Sequence, residues 1–175
     1  MCTIAHIACS LDGFIAGQND DLEWLNTVPP SSIEYYDFDK LQNDIDCILM
    51  GRKTFDVVKR FGVWPYRKLV FVLTNTVSTI DDEFKGKIKL INGEIKEILE
   101  KLNRSGYSKI YVDGGNVIQQ LINESLLDEM IITTISKMIG SGIRLFDNIK
   151  VRTEWELEYS KMLNNEMVMC KYKRK

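Results

Sequence analysis

The stretch Lys109-Ile-Tyr-Val-Asp-Gly-Gly-Asn-Val-Ile-Gln-Gln120 restricts the possible folds most. An apolar run suited to a buried strand meets two adjacent glycines. A helical pattern carrying Val117, Ile118, Leu121 and Ile122 begins at once. The junction recurs where Cys47-Ile-Leu-Met50 gives way to Gly51-Arg-Lys-Thr54, and where Lys68–Leu73 ends at Thr74-Asn-Thr76. Strands this uniformly apolar are buried on both faces, which is the condition of a parallel sheet covered by helices. The chain is therefore expected to be an α/β domain.

The other segments fit that class. Thr3–Ser10 reads as a buried strand stopped by Leu11-Asp-Gly13, and Gly17–Asp21 as a polar loop. Ser31 or Ser32 can cap a helix carrying Ile33, Tyr36 and Leu41. Ile95, Ile98, Leu99 and Leu102 fall on one face of a helix that Gly106 can end. Glu129–Ile135 is the next strand. Trp155–Met162 and Glu166–Tyr172 form a closing antiparallel hairpin turning at Asn164-Asn165.

At 175 residues, with no repeat or linker-like tract, residues 1–175 are expected to form one domain. Lys and Arg total 23 against 25 Asp and Glu, a formal net charge of −2 that makes no case for nucleic acid or an anionic membrane. No apolar run is long enough for a membrane span. Cys2, Cys9, Cys47 and Cys170 are scattered, and no signal peptide pattern opens the chain. They read as reduced thiols in a cytoplasmic protein. With His6 as the single histidine, no metal site is expected.

In open α/β sheets ligands lie outside the carboxyl ends of the strands, so the three strand-end turns can share one cleft. They bring glycine backbone, hydroxyls, an amide and two adjacent cations. Gly114 and Gly115 let backbone approach an anion closely, and the N–H groups opening the helix carry partial positive charge toward it. Two glycines at a strand end also serve any tight turn. Arg52 suits a bidentate grip on phosphate and Lys53 a point-charge contact. A cation pair there favours a 2′-phosphate, hence NADPH over NADH. Cations at a helix start otherwise oppose its dipole. The common dinucleotide fingerprint G-x-G-x-x-G is absent, as is G-x-x-x-x-G-K-[ST].

In order and spacing, Ile4–Gly17, Trp24, Ile48–Thr54, Val72-Leu-Thr74 and Val112–Asn116 resemble dihydrofolate reductase. Leu126–Thr133 and Ile139–Phe146 look closer to a sister family, the reductase domain of bifunctional riboflavin-biosynthesis proteins. The resemblance covers nearly the whole chain and is to free-standing bacterial members. It implies a dihydrofolate reductase-like, mostly parallel eight-stranded mixed sheet flanked by helices. NADPH would lie along the strand ends. Its nicotinamide would sit near Ala8, Ile15 and Ala16. The phosphates would lie near Gly51, Arg52, Lys53 and Thr54, near Leu73, Thr74 and Asn75, and near Asp113, Gly114, Gly115, Asn116 and Val117. It also implies a homodimer, joined through the final strands.

The implied chemistry is hydride transfer to a small pterin- or pyrimidine-like heterocycle or a carbonyl, of the 5-amino-6-(5-phosphoribosylamino)uracil reductase type. Such a transfer needs a proton source. Dihydrofolate reductase uses a carboxylate on the helix before the Met-Gly-Arg strand. Here Glu34, Tyr35 and Asp37 compete for that place, and Thr133 would lie beside it. No cation cluster beyond Arg52-Lys53 suggests an anchor for a substrate phosphate. A non-catalytic nucleotide-binding protein and a genuine dihydrofolate reductase are the alternatives. The fused deaminase half, with H-x-E and P-C-x-x-C, is absent from this sequence.

Overall fold

The computed structural model describes residues 1–26, 32–76 and 79–175, with the side chains of residue 26 and residues 32–37 left outside the description. In chain order the strands are β1 (Cys2–Ser10), β2 (Phe14–Ala16), β3 (Cys47–Gly51), β4 (Val70–Leu73) and β5 (Ile88–Ile91). They continue with β6 (Lys109–Asp113), β7 (Glu129–Ile135), β8 (Ile143–Arg144), β9 (Trp155–Asn164) and β10 (Met167–Arg174). The helices are α1 (Glu23–Asn26), α2 (Ser32–Asp44), α3 (Arg52–Lys59), α4 (Ile95–Arg104) and α5 (Gly115–Asn123).

Eight strands make one sheet in the order β5-β4-β3-β6-β1-β7-β10-β9. The six from β5 to β7 run parallel, and β10 and β9 close the edge antiparallel. This is the expected mixed sheet. The central strands are the apolar runs seen in the sequence: Cys47, Ile48, Leu49 and Met50 have no solvent exposure at all. Alternate residues of each central strand feed different cores. Leu49, Ile110 and Val112 pack with α4 and α5, through Leu99, Ile118 and Leu121. Ile48, Met50 and Tyr111 pack on the other face with Leu41 of α2, Ile45 just after it, and Phe55 and Val58 of α3.

Three details differ from expectation. The strand expected from Lys68 begins at Val70, and the last hairpin turns at Asn165-Glu166 because Asn164 still pairs with Met167. A small second sheet pairs β2 with β8 and was not anticipated. The expected Ser31 cap lies outside the described residues. Ser105 ends α4, with Gly106 next in the left-handed region at φ 90°, as a glycine after a helix should be.

This topology fixes where a ligand can enter. β3 and β6 are neighbours, yet the helix after β3 leads outward to β4 on one face and the helix after β6 leads to β7 on the other. The chain diverges between their carboxyl ends and leaves a crevice there.

Candidate cofactor and substrate cleft

A cleft of about 860 Å³ occupies that crevice. Its floor is Ala8 at the end of β1 and Asp113-Gly114 at the end of β6. One wall is the face of α3 bearing Lys53, Thr54, Val57 and Val58. The opposite wall is α5, through Asn116, Gln119 and Gln120. Ile15 and Ala16 of β2 close the third side.

The two helix starts meet at the floor. Gly114 precedes α5 with φ 95°, and a Cβ there would stand 2.1 Å from Thr54 Oγ1 of α3. A Cβ on Gly115 would stand 2.6 Å from Ile15 Cδ1. Gly114 must be glycine if α3 and β6 are to close up, whereas at Gly115 the tip of the Ile15 side chain would have to move. Neither α3 nor α5 has a side-chain cap at its N-terminus or an acidic residue in its first turn. Their first N–H groups have no partner inside their own helices, and both dipoles carry partial positive charge toward the floor. Lys53 adds a full charge. Two such ends beside a glycine floor suit a dinucleotide diphosphate, so the residues present fit the expected cofactor.

The remaining candidates are distributed more widely. Lys53, Thr54, Asp113, Gly114, Gly115 and Asn116 line the cleft with Ala8, Ile15 and Ala16. Gly51, Arg52, Leu73, Thr74, Asn75 and Val117 sit at the same strand ends without lining it. Arg52 Nε lies 2.9 Å from both carboxylate oxygens of Asp56, one turn along α3. Val117 is buried, and Gly51 leaves room for it: a Cβ there would come 3.3 Å from Val117 Cγ2. Thr133 is buried in β7 opposite Ala8, and its hydroxyl has no hydrogen-bond partner among the described residues. Glu34 and Asp37 have side chains outside the described residues.

Asp113, which the resemblance puts near the cofactor phosphates, carries a carboxyl group at the end of β6. Its side chain is partly open to the cleft, and burial raises its pKa above the ordinary carboxylate value. Hydrogen bonds from Tyr66, Tyr111 and the Gly114 N–H only partly offset that burial. Tyr66 O–H donates directly to Asp113 Oδ2. Tyr111 O–H also lies 3.1 Å from the His6 carbonyl. The same burial raises both phenol pKa values and keeps them neutral. Tyr66 is held in place by Gln42 of α2, which donates to the Pro65 carbonyl at 3.2 Å and accepts the Arg67 N–H at 2.8 Å. No local pattern points from Tyr66 to Asp113. They meet because β3 and the loop before β4 lie beside β6.

The β2 segment is fastened over the cleft. Asp12 accepts from Ser10 Oγ at 2.6 Å and from the Gly140 N–H at 2.8 Å. The Arg144 guanidinium stacks 4.3 Å from the Phe14 ring centre. Among the described residues no cluster of metal-binding side chains occurs, and no helix is long and apolar enough to cross a membrane. All four cysteines are free thiols.

The family model described as the RibD C-terminal domain matches residues 2–169. The uncharacterized protein YwjB of Bacillus subtilis is 31% identical over 163 residues, covering 91% of this chain and 90% of its own. The crystal structure of a Shewanella sp. PV-4 protein, provisionally assigned to riboflavin biosynthesis, is 36% identical. It superposes with a TM-score of 0.95 over 100% of this chain and 99% of that one. The Thermotoga maritima diaminohydroxyphosphoribosylaminopyrimidine deaminase/5-amino-6-(5-phosphoribosylamino)uracil reductase shares the fold alone. It has 13% identity, a TM-score of 0.76 and coverage of 99% of this chain against 56% of the larger protein.

Proposed function

The chain belongs to the RibD C-terminal domain family, and from that premise we propose that it is an NADPH-dependent reductase of a small heterocyclic or carbonyl compound. The observation that carries this reading is the convergence of two uncapped helix starts, Lys53 and the Gly114-Gly115 floor on one cleft. When bound, NADPH supplies the hydride. Lys53, Thr54, Gly114, Gly115 and Asn116 hold its diphosphate, and Ile15 and Ala16 shield the reacting ring from water. Asp113 is the proton source: it lines the cleft, and its burial keeps it protonated at higher pH than an ordinary carboxylate. Tyr66 orients it by holding one carboxyl oxygen.

The test is a titration of the purified chain with NADPH, followed by fluorescence and thermal shift. Oxidation of the bound cofactor at 340 nm is then read against pterins, including dihydrofolate, pyrimidines, quinones and aldehydes. Saturable NADPH binding with oxidation by one of these classes supports the reading. Binding without oxidation across the panel would make the chain a nucleotide-binding protein instead, and no NADPH binding would refute both.

A further inference from the structure

Beyond the cleft, we propose a second binding site, for a small aromatic carboxylate, between α4 and the β4–β5 edge of the sheet. A cavity of about 280 Å³ opens there, near the lower end of the roughly 300–1,000 Å³ that ligand sites occupy. It shares no residue with the cleft. Lys89 and Ile91 alternate with Ile88 and Leu90 along β5, so they face the α4 side of the sheet together with Phe71. Opposite them α4 brings Lys101 and Leu102, and Tyr107 follows just after the helix. Phe71, Ile91 and Leu102 are buried and supply apolar walls. The Tyr107 ring meets Phe71 edge to face, with centroids 5.3 Å apart. Aromatic and aliphatic walls of this kind take the flat of one or two fused rings.

The charge at this cavity has one sign. Lys89 and Lys101 are exposed, and their side chains make no hydrogen bond or ion pair among the described residues. No carboxylate of the described residues lines the cavity. A lysine in the last turn of a helix ordinarily complements the dipole there. In α4 the nearest carbonyls already have partners. The Lys101 carbonyl accepts the Ser105 N–H at 3.1 Å and the Ser105 hydroxyl at 2.9 Å, and the Leu102 carbonyl accepts the Tyr107 N–H at 3.1 Å. Their partial negative charge is offset, and both ammonium groups remain for a ligand. Each is a point charge on a flexible stem, one on the sheet and one on the helix, so the pair can close on a single carboxylate from two sides. A carboxylate held against apolar walls meets these charges with less screening than it would in open water.

The experiment titrates the full chain with indole-3-carboxylate, and with indole-3-carboxamide as its neutral counterpart, followed by two-dimensional NMR. The amides of Phe71, Ile91, Leu102 and Tyr107 should shift and saturate with a Kd on the order of 0.1–1 mM. The carboxamide should bind about tenfold more weakly, the combined effect of two lysine contacts. Lys89→Gln combined with Lys101→Gln changes two exposed side chains, so far-ultraviolet dichroism should be unchanged. That double variant should lose about tenfold in affinity for the carboxylate and none for the carboxamide. Saturating NADPH should leave the indole-3-carboxylate shifts in place, because the two sites share no residue. The result therefore stands or falls separately from the reductase reading. Shifts confined to cleft residues overturn the proposal, as does the absence of a saturable shift. Equal binding of the two compounds overturns it too, and so does a double variant that binds the carboxylate as the wild type does.

Discussion

Asp113 is a carboxyl group at the end of a central strand, with two neutral phenols beside it and an open cleft in front. Its pKa is raised by burial, so the folded protein holds this proton more tightly than the unfolded chain does. The sign for stability follows by linkage. Asp113's contribution is fully present below the unfolded carboxylate range and is lost as pH rises through the raised folded value. Asp113→Asn should therefore flatten the fall in stability on the alkaline side of that range, as denaturant melts at a series of pH values would show. In the proposed reaction the same proton is the one transferred. The D113N variant should bind NADPH normally and lose ~10²–10⁴-fold in turnover. With the wild type, turnover should fall as pH rises through the Asp113 pKa. Tyr66→Phe removes a donor that favours the ionised form, so it should move this alkaline limb to higher pH. A limb that stays in place would show that Tyr66 only fills space.

The junctions between elements carry the proposed cofactor half of the site. At the β6–α5 junction, Gly114 combines a φ of 95° with a Cβ position 2.1 Å from Thr54 Oγ1. Gly114→Ala must push α3 away from the floor as well as strain the backbone. It should cost ~1–3 kcal/mol of stability and weaken NADPH binding, both readable by thermal melts with and without cofactor. This junction was legible in the sequence because a fully buried strand must be apolar throughout and a close approach must be glycine. β3, β4, β6 and β7 showed for the first reason. β5 did not: Ile88-Lys-Leu-Ile91 is an edge strand with Lys89 exposed, so its pattern is too short and mixed to separate from a loop. β2 and β8 span 3 and 2 residues and form only because they pair with each other. The polar contacts were hidden for a related reason. Tyr66 and Asp113 stand 47 residues apart, and strand order, not local spacing, joins them. Arg52, read as a phosphate ligand, has an intrahelical partner in Asp56 that only the helical register reveals.

At the scale of the molecule, the sheet is covered unevenly. α4 and α5 pack over the strands from β4 to β7, while the closing hairpin carries an apolar surface into solvent. Met162 and Val168 are paired across β9 and β10 and so share a face, with exposures of 70% and 42%. Leu157 pairs with Tyr172 on that same face and is 53% exposed. β9 is also an edge strand with unpaired backbone groups, the feature a soluble sheet normally blunts or covers. Glu156, Glu158 and Lys161 supply some of the charge that keeps such an edge from indiscriminate pairing. A second copy meeting the hairpin about a two-fold axis would bury the three apolar side chains against their own counterparts, which is the self-complementarity a two-fold interface needs. A stable interface of that kind buries ~800 Å² per partner, a size two adjoining strands of this length can supply. The expected result is a homodimer by light scattering. Leu157→Lys combined with Met162→Lys should give a monomer whose far-ultraviolet dichroism is unchanged. NADPH binding should persist in that monomer, because no cleft residue lies on the hairpin. A wild-type monomer at micromolar concentration, or a double variant that still dimerises, would rule out this face as the interface.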